Sequence, residues 1–278
     1  MNVGISTVCF ARHFAQGELD LFQLLAKCSD FGLNAIEMHQ GQTPREKEVL
    51  RQVKQQAARL SLDIMAVSPE SNFYKARAEE MEGEVQHLLR WLEVADFLGA
   101  PILRVNTGPY CRSIHDFAPA HVTREEIFAW AVAAFQTVAA EAGERGITLA
   151  VENHFGLCRT SADLLRLVQA VDSEWFKVNI DTGNWYDDLA AHEVPFEDPY
   201  AAIAALAGEA VFCHAKVWEV TADLVETTLD YPRIFRLFRE HGYRGPVSIE
   251  YFGEDVLEAT PRLAAMLRQA HAQAEASM

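Results

Sequence analysis

At 278 residues, half of them hydrophobic, the chain can form one large α/β domain or two small ones, with ample apolar material for a core. Asp and Glu number 40 against 24 Lys and Arg, and the net charge of −16 repels phosphate backbones and anionic bilayers, so neither nucleic acid nor membrane is an expected partner. The five cysteines (Cys9, Cys28, Cys111, Cys158 and Cys213) are an odd set without a CxxC pair. With no signal-like N-terminus and no membrane-length apolar run, they point to reduced thiols in a cytoplasmic protein.

Short β-rich runs alternate with helical ones along the whole chain. Val3–Cys9 reads as a strand, followed by helical spacing over Leu19–Phe31 that Gly32 closes. Ala35–His39 precedes an amphipathic stretch from Pro44 to Leu60, and Leu62–Val67 precedes Glu79–Leu98, stopped by Gly99. Ile102–Asn106 leads through a long loop to a helix from Arg124 to Ala142, where Thr123 and Glu126 spell a capping box. Ile147–Glu152 with Ala162–Val171 and Phe176–Asp181 with Pro199–Leu206 continue the series. Ala210–Val217 with Tyr231–His241 and Val247–Glu250 with Val256–Ala274 complete it. About eight β-then-α units are the count of a closed (β/α)8 TIM barrel. No linker or composition shift interrupts them, so residues 1–278 are expected to be one domain. An open dinucleotide-type sheet would want GxGxxG or GxxxxGK[ST], and neither occurs. Three strand-exit loops are long enough to wall an active site: Ser68–Ala78, Thr107–Val122 and Trp218–Asp230.

The last four strands end in donor residues: "LAVENHFG" offers Glu152, "VNIDTGN" Asp181, "VFCHAKV" His214 and "VSIEYFG" Glu250. They recur at roughly thirty-residue intervals, one β/α unit apart. A lone acid at a strand end is more often a helix cap or a solvated loop residue. Four consecutive strands ending at one register form a ring instead, and carboxylates facing one another across a barrel mouth need a cation between them. Oxygen-rich donors with one imidazole suit Mn²⁺ first, with Mg²⁺, Co²⁺, Fe²⁺ or Zn²⁺ as alternatives.

These strand ends, with "DTGN" and "YPRIFRLFREHGYRGPVSIEYFG", resemble the xylose isomerase-like TIM-barrel superfamily. That group includes sugar-phosphate isomerases and epimerases, hydroxypyruvate isomerase, ketose 3-epimerases, inosose and 3-dehydroshikimate dehydratases and endonuclease IV. The resemblance implies that Glu152, Asp181, His214 and Glu250 hold one divalent metal and that Glu152 and Glu250 move protons. Many relatives carry histidine three residues after the aspartate, where this chain has Asn184, which binds a hydroxyl but cannot act as acid or base. The histidine-rich zinc cluster implied by endonuclease IV is not reproduced, and Thr227 and Thr228 replace a glycine common before the stretch matching "LDYPRIF". Such barrels are often dimers or tetramers, which implies a homo-oligomer.

A metal chelating a carbonyl and its neighbouring hydroxyl acidifies the adjacent C–H, and a flanking carboxylate can remove that proton to give an enediolate. Proton return then decides between isomerisation and epimerisation, whereas loss of a β-hydroxyl dehydrates. The expectation is a metal-dependent isomerase or epimerase of a sugar or small hydroxy-carbonyl compound. The alternatives are a dehydratase of an inosose- or dehydroshikimate-like substrate and a non-catalytic, accessory metal-binding barrel. Lys216, two residues past His214, faces the same side, and resemblance to the dehydratases implies a donor to substrate or leaving hydroxyl; a salt-bridged barrel lysine is the plain alternative. Further substrate-contact candidates are His154, Arg104, Asn106, Asn184, Trp185 and Trp218, although tryptophans more often pack in a core and a buried Arg can simply pair with a ligand glutamate. Arg104, Arg112 and Arg159 are too scattered to define a phosphate site.

Overall fold

The computed structural model describes residues 1–111, 113–187, 192 and 194–276; Arg112 of the scattered arginines lies outside them. The chain alternates strands and helices in this order: β1 (Val3–Ser6), α1 (Ala11–Gln16), α2 (Leu21–Asp30), β2 (Ala35–His39), α3 (Lys47–Arg59), β3 (Asp63–Ser68), α4 (Met81–Leu98), β4 (Ile102–Val105) and α5 (Arg124–Gly143). The second half follows with β5 (Thr148–Glu152), α6 (Ser161–Val171), β6 (Phe176–Asp181), α7 (Pro199–Leu206), β7 (Ala210–Lys216), α8 (Tyr231–Glu240), β8 (Val247–Glu250) and α9 (Val256–Ala276). All neighbouring strands are parallel, and β1 pairs with both β2 and β8, so the sheet closes into the expected eight-stranded barrel.

Local chemistry sets most boundaries. The capping box at Thr123 and Glu126 is present at the start of α5, and Gly99 closes α4 at φ 79°, where a side chain would be strained. The first strand stops earlier than its apolar run suggests. The Thr7 hydroxyl accepts the His39 backbone N–H at 2.9 Å, replacing the ladder, and residues Thr7–Phe10 wind into a 3₁₀ turn that enters the unexpected helix α1.

Two apolar layers form. The larger lies between the strands and the surrounding helices, where α4 contributes Val85, Leu88, Leu92 and Ala95 at helical spacing. The smaller fills the barrel interior with Ala35, Met65, Ala66, Ile102, Ala150 and Phe212. Because side chains alternate across a strand, Ala150, Ile102 and Phe212 point the same way as Glu152, Arg104 and His214 two residues further on. The interior layer is therefore the floor of whatever the strand ends build. The five cysteines are buried free thiols, and among the described residues no helix is long and apolar enough to cross a membrane.

The floor is tight at Gly4. A Cβ there would lie 2.6 Å from the Ala35 carbonyl oxygen and 2.4 Å from Met65 Cε, and backbone on a paired strand cannot retreat. Gly4→Val should therefore destabilise the fold by about 1–3 kcal/mol, read as a lower denaturation midpoint; an unchanged midpoint would show that the barrel tolerates a side chain there.

Candidate active site

Strand register builds the site. Asp181 is the Cα partner of His214, and Lys216 is the partner of Glu250, so the ends of β6, β7 and β8 stand side by side. Asn153, just past β5, clamps its neighbour: its Oδ1 accepts the Asp181 N–H at 2.7 Å and its Nδ2 donates to the Asp181 carbonyl at 2.9 Å. The Thr-Gly-Asn turn then folds back on the aspartate, with Gly183 and Asn184 N–H groups donating to Asp181 Oδ1 at 2.8 and 3.1 Å. One carboxylate oxygen thus holds the turn, and Oδ2 is left for the barrel mouth.

Glu152, Asp181 and His214 are buried, and one donor atom from each lies within 4.8 Å of the others. Glu250 stands beside this trio, its Oε1 3.2 Å from His214 Nδ1, while Glu152 Oε1 lies 3.4 Å from the same nitrogen. Lys216 bridges Asp181 Oδ2, at 3.0 Å, and Glu250. Asn184 donates to Glu152 Oε1 at 3.1 Å, and Arg104 approaches Glu152 Oε2 at 3.6 Å. His214 Nδ1 and Asp181 Oδ2 are buried yet have no aligned hydrogen-bond partner. Buried atoms without an aligned partner are costly, and a carboxylate oxygen and an imidazole nitrogen this close together are donors of the kind that a divalent cation takes.

The electrostatics agree. Burial works against a charged His214, but the carboxylates of Glu37, Glu250 and Glu152 outweigh it and hold its pKa well above the usual histidine value. Burial pushes Asp181 up to about 6, with help from Glu250 and Glu152 and opposition from Lys216. Burial also acts to raise Glu152 and Glu250, but Arg104 and His214 bring the first well below the ordinary carboxylate range, and Lys216 and His214 lower the second. Lys216 and Arg104 thus stand against the carboxylates that converge with His214 at the barrel mouth.

The opposite side of the mouth holds residues that the sequence did not single out. Glu37 on β2 is fully buried and hydrogen-bonded to His214 Nε2 and to the hydroxyls of Ser68 and Ser248. Glu70, in the loop after β3, accepts from Asn106 Nδ2 at 2.7 Å and from Arg104 at 3.3 Å, and its Oε1 lies 3.1 Å from His39 Nε2. Arg104 and Asn106 therefore come to the site, paired with this carboxylate. His154 Nδ1 lies 3.3 Å from the Gly108 carbonyl, and half-buried Trp218 stacks on His192 and meets Tyr186 edge-on. Trp185 is fully buried in the core near Phe196, the commoner fate of a tryptophan. Glu37 did carry a signal, a carboxylate inside the apolar run AIEMH, of the kind that drew attention to Asp181.

The family model for the xylose isomerase-like TIM barrel matches residues 25–274, and the chain belongs to that family. A search of the curated proteins finds no match. Among solved structures, the chain is similar to the 3-keto-D-glucoside 4-epimerase YcjR from E. coli, with a TM-score of 0.75 and 15% identity over 97% of this chain and 99% of that one. It is similar also to the probable 3-DHS dehydratase AsbF from Bacillus anthracis, with a TM-score of 0.71 and 14% identity over 96% and 97% of the two chains. The IolI protein with a zinc atom aligns at a TM-score of 0.72 and 14% identity, covering 100% of this chain and 99% of that one. At such identities the likeness is one of fold.

Metal uptake can be measured directly. Isothermal titration of metal-free protein with Mn²⁺ should show one ion per chain, and Asp181→Asn or His214→Gln should each weaken it by at least about tenfold. Because an ion at His214 would compete with a proton whose binding the surrounding carboxylates favour, affinity should fall as the pH is lowered and uptake should release protons. A flat pH profile, or equal binding by either variant, would contradict this site.

Proposed function

We propose that the protein is a divalent-metal-dependent isomerase or epimerase acting on a sugar or small hydroxy-carbonyl substrate. The observation that carries this is the approach of two buried glutamates, Glu152 and Glu250, to the same nitrogen, His214 Nδ1, at 3.4 and 3.2 Å. Glu152, Asp181, His214 and Glu250 would hold the ion, which when bound supplies Lewis-acid polarisation of a carbonyl and its neighbouring hydroxyl.

The chain supplies proton transfer. Both glutamates are ionised at neutral pH, their pKa values lowered by adjacent cations, so either can receive a proton from carbon. That glutamate, now protonated, can return it to the neighbouring carbon, whereas return to the opposite face requires the other glutamate first to take up a proton from solvent. Asn184 fixes Glu152 through Oε1, and Lys216 fixes Glu250 while offering an N–H to an oxygen that gains charge. The buried floor of Phe212 and Ala150 keeps water from competing for the carbanion-like intermediate. Mn²⁺ is the metal of choice for this oxygen-rich set, and a small polyol or sugar in a cytoplasmic setting is the partner.

A dehydratase is the second reading, and Lys216 favours it. Its ammonium, held between Asp181 and Glu250, is a donor of the kind that a leaving hydroxyl needs. A panel of ketoses, inososes and hydroxy-keto acids, incubated with Mn²⁺ in D₂O and read by mass and NMR, separates the two. Solvent deuterium at one carbon without change of formula supports the isomerase or epimerase; loss of water supports the lyase. Glu152→Gln and Glu250→Gln should each slow deuterium exchange by about 10²–10⁴-fold, and full exchange in either variant would refute the assigned roles.

A further inference from the structure

We propose that Glu37 is a positioning residue for metal binding, accepting the Nε2–H of His214 and so presenting Nδ1 to the divalent ion. This rests on the metal site proposed above. Glu37 comes from β2, across the barrel from β7, and neither side chain has any exposed surface. A carboxylate buried so completely persists only where its oxygens are satisfied by donors. Glu37 Oε2 receives the Ser248 hydroxyl at 2.6 Å, and Oε1 lies 3.1 Å from His214 Nε2 and also receives the Ser68 hydroxyl. Three donors converge on its two oxygens, and an ionised carboxylate can only accept.

An acceptor at Nε2 fixes the imidazole tautomer. The hydrogen sits on Nε2, and the neutral ring then carries its lone pair on Nδ1. That is the nitrogen lying between Glu152 and Glu250 without an aligned partner. Phe212, two residues earlier on the same face, meets the His214 ring edge-on at 5.2 Å and limits its rotation from below. Four strands thus meet on one carboxylate: β2 supplies it, β3 and β8 hold it through serines, and β7 receives its effect. Glu37 touches no open space, so it has no route to substrate and acts only through His214.

The test is a double-mutant cycle on Mn²⁺ affinity, with wild-type binding measured alongside. Glu37→Gln keeps the shape but removes the charge and the two-sided acceptor, and should weaken Mn²⁺ binding by about 10–100-fold. In a His214→Gln background the same change should cost less than about twofold, because its route to the metal is gone. Nitrogen NMR of the zinc-loaded protein should show His214 bound through Nδ1 with its hydrogen on Nε2, and the Nε2 resonance should shift in Glu37→Gln as the charged acceptor is lost. Should Glu37→Gln fail to fold, Ser248→Ala carries the cycle, with a smaller loss that also vanishes in the His214→Gln background. Equal losses in both backgrounds, or no loss in either, would overturn the role of Glu37 while leaving the metal site intact. Wild-type protein that binds neither Mn²⁺ nor Zn²⁺ would remove the metal site itself and this proposal with it.

Discussion

The constraint on which this structure turns is the burial of like charges at one end of a barrel. Glu37, Glu152, Asp181 and Glu250 all lie within the closed sheet or at its rim, almost without exposed surface. Each buried carboxylate costs several kcal/mol unless it is paired, and mutual repulsion adds to that. Arg104 and Lys216, with His214 hydrogen-bonded to Glu37, offset part of the cost. Asp181 Oδ2 and His214 Nδ1, buried without an aligned hydrogen bond, mark where the offset is incomplete, and the site proposed above would complete it with a doubly charged ion.

Division of labour around the barrel follows from this constraint. Strands β5 to β8 contribute one donor each at their exits, aligned by the Asp181–His214 and Lys216–Glu250 registers. Strands β2 to β4 and the loop after β3 contribute the groups that hold those donors or face the other side of the mouth: Glu37, Ser68, Glu70, Arg104 and Asn106. A single guanidinium, that of Arg104, links Glu70 to Glu152 and so ties the two halves together. The fold is shared with an epimerase at 15% identity and a probable dehydratase at 14%, and a fold shared so widely does not by itself specify a reaction.

The barrel was legible in the sequence because its rhythm is local: the strands are short apolar runs, and several helices carry their own start or stop signal, as at Thr123 and Gly99. The strand-end donors were legible because a charge that terminates an apolar run is conspicuous. Boundaries shifted where a side chain replaced the backbone ladder, as Thr7 does beside His39. Glu37 and its serines escaped notice for a different reason. Their meaning depends on barrel closure, which brings residues 177 positions apart to 3.1 Å, and nothing in a linear pattern records that distance. Glu70 was hidden likewise in a loop, where a carboxylate is usually solvated and carries no signal until its partners are seen.

Anomalous diffraction from crystals of the manganese-loaded protein tests the central claim most directly. One strong peak is expected at the barrel mouth, within bonding distance of Glu152, Asp181, His214 Nδ1 and Glu250. No peak there in crystals soaked at saturating metal, or a peak bound to other side chains with Asp181 Oδ2 and His214 Nδ1 still unpartnered, would contradict it.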